Sequence, residues 1–213
     1  MLIKVCGMRE PENIRAVESL GIDMMGFIFW QGSKRYVSAL PDYMPQATVR
    51  RVGVFVDAPV AEVAQIAAEA HLWGVQLHGS ESADYCRALR ELAAMKDVSI
   101  IKAIGISEDS SLPDLSGYDD VCTMLLFDAK GPSVGGSGRH FNWKRLEEYH
   151  GKLPFILSGG IGPDDAPAIL ALRHPMMIGI DLNSRFETSP AVKNVGALNA
   201  FIKKLKQNER NHE

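Results

Sequence analysis

Residues 51–78 read RVGVFVDAPVAEVAQIAAEAHLWGVQLH, and this stretch decides the fold. An apolar, β-branched run (51–56) is followed by an amphipathic segment (60–71) and then a second apolar run (74–78). Runs so continuously apolar suit strands buried on both faces, as in a parallel sheet under helices. Two such strands joined through a helix predict a right-handed crossover.

The same unit recurs on either side. Strand-like runs are expected at 2–6, 24–29, 51–56, 74–78, 100–104, 124–128, 155–158 and 178–182, with helical segments at 11–20, 60–71, 82–95, 142–150, 163–172 and 192–206. Ser82 precedes an acidic first turn, and Pro163 is followed by Asp164 and Asp165, which suit the positive end of a helix. Two connections are weak: 41–47 is short, and 109–120 is turn-rich with little expected helix. Eight alternations in 213 residues predict an α/β fold, a single (β/α)8 TIM barrel with a closed, parallel, eight-stranded sheet over 1–213. The rival, a doubly wound open sheet, is disfavoured because no GxGxxG follows the first strand.

Composition narrows the function classes. Apolar residues make up 46%, charged residues 23%, and the net charge is −3, so no basic stripe is available to neutralise nucleic-acid phosphates. No apolar stretch approaches the roughly 20 residues of a spanning helix, which argues against membrane insertion. The opening MLIKVCGMRE lacks signal-peptide architecture, so a cytoplasmic location is expected. Cys6, Cys86 and Cys122 are an odd number without CxxC spacing, which speaks against a disulfide framework and a structural zinc site. The helices present polar outer faces, so a monomer is expected.

In a barrel of this kind the chemistry lies at the C-terminal ends of the strands. Those ends carry Cys6, His78 and Asp128, then Ser158-Gly159-Gly160 and Asp181-Leu182-Asn183-Ser184. Each has a plain structural alternative: Cys6 as a small buried hydrophobe, Asp128 as a loop cap, His78 as a hydrogen-bonded core histidine. Cys86 and Cys122 keep that plain reading. Phosphate in this fold often sits between the loops after strands 7 and 8. Gly159 and Gly160 let the backbone approach an anion, and Asn183 and Ser184 offer N–H groups; the alternative is a tight turn of small residues. After strand 2, Lys34 and Arg35 fall on the same face, and Arg35 is suited to grip a carboxylate bidentately. The glycine-rich 131–138 after strand 6 suits a lid, or only a flexible loop.

Taken together, KVCGMR, GFIFWQGSKRYV, RVGVFVD, VQLHG, LLFDAKGPSVGGSGRHFNW and LSGGIGP closely resemble, in order, the phosphoribosylanthranilate isomerases of tryptophan biosynthesis. The resemblance implies Cys6 as general base, Asp128 as general acid, Arg35 on the anthranilate carboxylate, and Gly159, Gly160, Asn183 and Ser184 around the phosphate. It implies an Amadori rearrangement of a small phosphorylated substrate, with no metal or organic cofactor. One departure stands out: where the family commonly has DVSSGVE, this chain has DLNSRFE, with Arg185 in place of the glycine.

That chemistry makes opposed demands. Cys6 needs surroundings that favour its thiolate, and Asp128 needs desolvation or a neighbouring negative charge to stay protonated. Lys130 is therefore expected to point away from Asp128. Two other functions compete with this one. An indole-glycerol-phosphate synthase on the same barrel would rely on lysine and glutamate at strand ends, and no glutamate ends a strand here. An inactive phosphate-binding protein would have no need for Cys6, Asp128 and Arg35 together.

Overall fold

The parallel strands pair in sequence order and close on themselves, β1 bonding to β8 as well as to β2. They are β1 (Leu2–Val5), β2 (Met24–Ile28), β3 (Arg50–Phe55), β4 (Gly74–Leu77), β5 (Ser99–Ile106), β6 (Met124–Ala129), β7 (Phe155–Leu157) and β8 (Met177–Leu182). The computed structural model describes residues 1–107, 111–129 and 142–210. The α-helices are α1 (Pro11–Glu18), α2 (Val60–Glu69), α3 (Ala83–Glu91), α4 (Ala166–Ala171) and α5 (Val195–Arg210). After β6 a short 3-10 segment, Trp143–Glu148, stands where a helix was expected. The connection 41–47 holds no helix, and 109–120 holds only the turn Ser116–Tyr118 among its described residues.

The strand period of two sorts the side chains. Ile3, Val5, Met25, Phe27, Val75, Leu77, Leu125 and Phe127 point outward into the main core beneath the helices. Inside the barrel, Met24, Val52, Ile101, Ala103, Met124, Leu126 and Ile156 fill the lower part. Toward the C-terminal mouth this apolar filling gives way to Lys4, Gln76, Ser158 and Asp181, all buried. A register shift between β7 and β8, after the Phe155–Met177 pair, brings Gly179 opposite Ile156. Asp181 then pairs in register with Lys4 on β1, on the inner side.

Capping explains where the helices start. The Ser82 hydroxyl accepts the Tyr85 N–H at the head of α3. Helix α5 begins at Val195 rather than 192, because Asn194 Oδ1 accepts the Ala197 N–H. Val192–Lys193 instead form β10, which pairs antiparallel with β9 (Glu187–Ser189) in a small hairpin beside the barrel mouth. This hairpin was not expected, and it carries two residues of the site.

The loop after β4 is pinned from outside the barrel. Lys102 Nζ donates to Glu81 Oε2 (2.7 Å) and to the carbonyls of Leu77 and Gly79, while Glu81 also accepts the N–H groups of Asp57 and Gly79. Every polar atom in this buried knot thus has a partner, which fixes the backbone on both sides of His78.

Candidate active site

A cleft of about 730 Å³ opens at the C-terminal mouth of the barrel. Cys6 (after β1), Arg35 (after β2), His78 (after β4) and Asp128 (in β6) all line it. So do Gly159 and Gly160 after β7, and Asn183 and Ser184 after β8. All eight side chains or loops singled out in the sequence therefore face one space. Lys34 is exposed and does not line it. Lys130 and the glycine-rich 131–138 lie outside the described residues.

Cys6 is 3% exposed and packs with Ile28, Val54 and Trp30. A Cβ on Gly26 would stand 2.6 Å from Cys6 Sγ, so the glycine in β2 makes room for the thiol. Burial in this apolar pocket pushes the thiol above its ordinary value, opposed by the positive charge of Lys4; Asp181 adds to the rise and Lys193 opposes it. The expectation of surroundings that favour the thiolate is thus corrected: in the free protein desolvation outweighs the two lysines. The lysines themselves were not recognised in the sequence as site residues. Lys4 is fully buried and donates to Asp181 Oδ1 (2.9 Å). Burial works against its charge, yet Asp181 and Cys6 together hold it above the usual lysine value.

His78 Nε2 lies 3.1 Å from Asp128 Oδ2, and Gln76 Nε2 lies 2.7 Å from His78 Nδ1. Asp128 Oδ1 accepts the Ala129 N–H (2.9 Å). Gly159 and Gly160 both take positive φ, +90° and +71°. A Cβ on Gly159 would fall 2.5 Å from the Ala129 nitrogen and 3.0 Å from Asp128 Oδ1, so this loop passes directly over the carboxylate.

Arg35 is not idle in the free protein. Its Nε and Nη2 donate to the two oxygens of Glu187 (2.8 and 2.6 Å), a bidentate pair that raises the guanidinium's affinity for its proton. Glu187 Oε1 also accepts from Lys193 Nζ (2.6 Å), and Lys193 donates in turn to Asn183 Oδ1 (2.7 Å). Burial alone would raise the Glu187 carboxyl, but Arg35 and Lys193 hold it below the ordinary value. The Asn183 side chain is thus engaged by the hairpin, leaving its backbone and Ser184 to face the cleft. Among the described residues no group of three or more His, Cys, Asp or Glu is arranged to hold a metal ion.

Residues 3–204 match the model of the N-(5′-phosphoribosyl)anthranilate isomerase family. The chain belongs to that family. It is 46% identical over 207 residues to the N-(5′-phosphoribosyl)anthranilate isomerase of Phocaeicola vulgatus, covering 97% of this chain and 98% of that one. The corresponding protein of Parabacteroides distasonis is 41% identical, with 96% and 93% covered. Among solved structures, phosphoribosyl anthranilate isomerase from Thermus thermophilus superposes with a TM-score of 0.81 at 30% identity, covering 98% of this chain and all of that one. Another, solved in complex with reduced 1-(o-carboxyphenylamino)-1-deoxyribulose 5-phosphate, gives 0.78 at 28% identity, with 97% and 100% covered. As a family member the protein is an isomerase of tryptophan biosynthesis, catalysing the Amadori rearrangement of N-(5′-phosphoribosyl)anthranilate.

Proposed function

We propose that Asp128 and Cys6 divide the proton transfers of this rearrangement between them. Asp128, protonated, gives its proton to the furanose ring oxygen as the C1–O bond breaks, and the nitrogen lone pair forms the iminium. The Cys6 thiolate then takes the proton from C2, and the electron pair flows into the iminium to give an enolamine. Protonation at C1 and loss of the C2 hydroxyl proton yield 1-(2-carboxyphenylamino)-1-deoxyribulose 5-phosphate. The iminium is the electron sink, so the step calls for no added cofactor. Each well-placed proton-transfer group is worth about 10²- to 10⁴-fold in rate.

The observation that carries this reading is the convergence of a thiol and a carboxyl from β1 and β6 on one cleft, with the glycine loop after β7 above the carboxyl. The raised thiol value is compatible with the role, because a thiolate that forms reluctantly is a stronger base toward carbon. The phosphate is held by the loops of Gly159-Gly160 and Asn183-Ser184. Arg35 takes the anthranilate carboxylate, and Glu187 keeps Lys193 as a partner when Arg35 turns to the substrate. His78 acts on the substrate side through its bond to Asp128.

The protein works as a cytoplasmic monomer in this reading. Among the described residues no helix is long and apolar enough to cross a membrane, and the exposed large apolar side chains are Met1 and Leu40. Sedimentation showing a stable dimer would overturn the monomer. For the chemistry, anthranilate fluorescence follows substrate generated in situ: Cys6→Ser and Asp128→Asn should lose most turnover yet still bind a product analogue. Near-full activity in either variant removes that residue from its role.

A further inference from the structure

Gln76 is 1% exposed on the inner face of β4, in a layer otherwise reserved for groups that are paired. Its amide nitrogen lies 2.7 Å from His78 Nδ1, while its oxygen is buried with no hydrogen-bond partner among the described residues. The far side of the ring meets Asp128 Oδ2 at 3.1 Å. Three polar groups from β4 and β6 thus form a chain, amide to imidazole to carboxyl, that ends on the proposed acid.

As arranged, the amide N–H donates to Nδ1, which must then carry a lone pair. The ring proton then belongs on Nε2, where it is directed at Asp128 Oδ2. Rotating the amide by 180° costs no other hydrogen bond, because nothing else holds its oxygen. The rotated oxygen accepts from a protonated Nδ1. One proton added at Nδ1 and one passed from Nε2 to Oδ2 along the existing bond convert the carboxylate into the acid. The ring ends neutral, and the chain has gained one proton.

We propose that Gln76 is a positioning residue whose amide turns to accept the His78 Nδ1–H, so that the His78–Asp128 pair can hold the proton Asp128 delivers. This rests on Asp128 being the proton donor. Among the described residues, Asp181 from β8 acts on both members of the pair, Lys4 from β1 holds Asp181, and Cys6 and Arg35 line the same cleft. The neighbouring strands present Ile28, Val54, Ala103 and Ser158, which do not titrate. Glu81 and Lys102 are paired to each other on the outer side of β4.

The test is the pH dependence of kcat/KM in Gln76→Met and Gln76→Glu. Activity requires the pair protonated and Cys6 ionised, so the profile has two limbs, and the variants identify the one that belongs to the pair. Methionine removes the amide's bond in both orientations, so kcat/KM should fall with that limb near its wild-type position. Glutamate supplies a permanent acceptor and should move the limb up by about one pH unit, the size of one hydrogen bond. A limb raised in glutamate and unmoved in methionine supports the proposal, because a packing defect would lower activity in both without moving it. A limb unmoved in glutamate overturns it. If either variant fails to fold, two-bond ¹H–¹⁵N spectra of the wild-type histidine rings decide: Nδ1 should gain its proton across the same pH range as the limb. An Nδ1 that stays unprotonated there overturns the proposal. Full activity in Asp128→Asn would instead overturn the reading of Asp128 itself.

Discussion

Lys4 stands two residues before Cys6 on the same inner face of β1, and its ammonium is held by Asp181 at 2.9 Å with both groups out of solvent. The lysine is therefore both a structural cation and the main positive charge acting on the thiol. Lys4→Met leaves the Asp181 carboxylate buried without its partner and should cost about 3–5 kcal/mol in urea unfolding. The double variant Lys4→Met/Asp181→Leu should recover most of that loss. A single variant as stable as wild type would show that the pair carries no such weight.

The direction of the Cys6 shift fixes a pH dependence. An acid whose folded value is raised keeps its proton when the unfolded chain has lost it. The contribution is fully present below the unfolded thiol value of about 8.5 and is lost as pH rises through the folded value. Stability should therefore decline across the alkaline range, and Cys6→Ala should flatten that decline. An equal decline in the variant would place its source elsewhere.

Arg35→Ala should chiefly raise KM, since the guanidinium binds a group that does not react, and kcat should change little. Glu187→Ala is a separate case. It leaves Lys193 buried with only Asn183 as a hydrogen-bond partner, and about 3–5 kcal/mol of stability should go with it. Steady-state kinetics and thermal unfolding distinguish the two; an unchanged KM in Arg35→Ala contradicts the carboxylate clamp.

Gly159→Ala tests the loop above Asp128. At φ +90°, with a Cβ directed at the Ala129 nitrogen, alanine must push the loop away, at about 1–3 kcal/mol for the strained backbone alone. Inhibition by inorganic phosphate should weaken and kcat should fall together, because one displacement moves both the anion loop and the acid's surroundings. Wild-type inhibition would mean that the phosphate binds elsewhere.

The barrel was legible because its strands are apolar on both faces, a pattern that survives without any knowledge of partners. The errors lie at edges. Residues 41–47 read correctly as a weak connection, since Pro41 and Pro45 keep helix out of it, but 192–206 hides a change from strand to helix that depends on Asn194 folding back onto Ala197. The site was legible where residue type and strand end coincide, as at Cys6, His78 and Asp128. Lys4 and Gln76 do carry a signal in the sequence: they are polar residues two positions before Cys6 and His78, on strands that are otherwise largely apolar. Glu187 and Lys193 left almost none, since their importance comes from a hairpin that brings them to Arg35 across more than 150 positions of chain.

In this mechanism Cys6 removes the C2 proton. Single-turnover loss of anthranilate fluorescence, with deuterium at C2 of the sugar, tests it most directly. The wild type should slow several-fold with deuterium, and Cys6→Ser should be slower by about 10²- to 10⁴-fold. An isotope-insensitive wild type together with a Cys6→Ser variant at near wild-type rate would contradict the account.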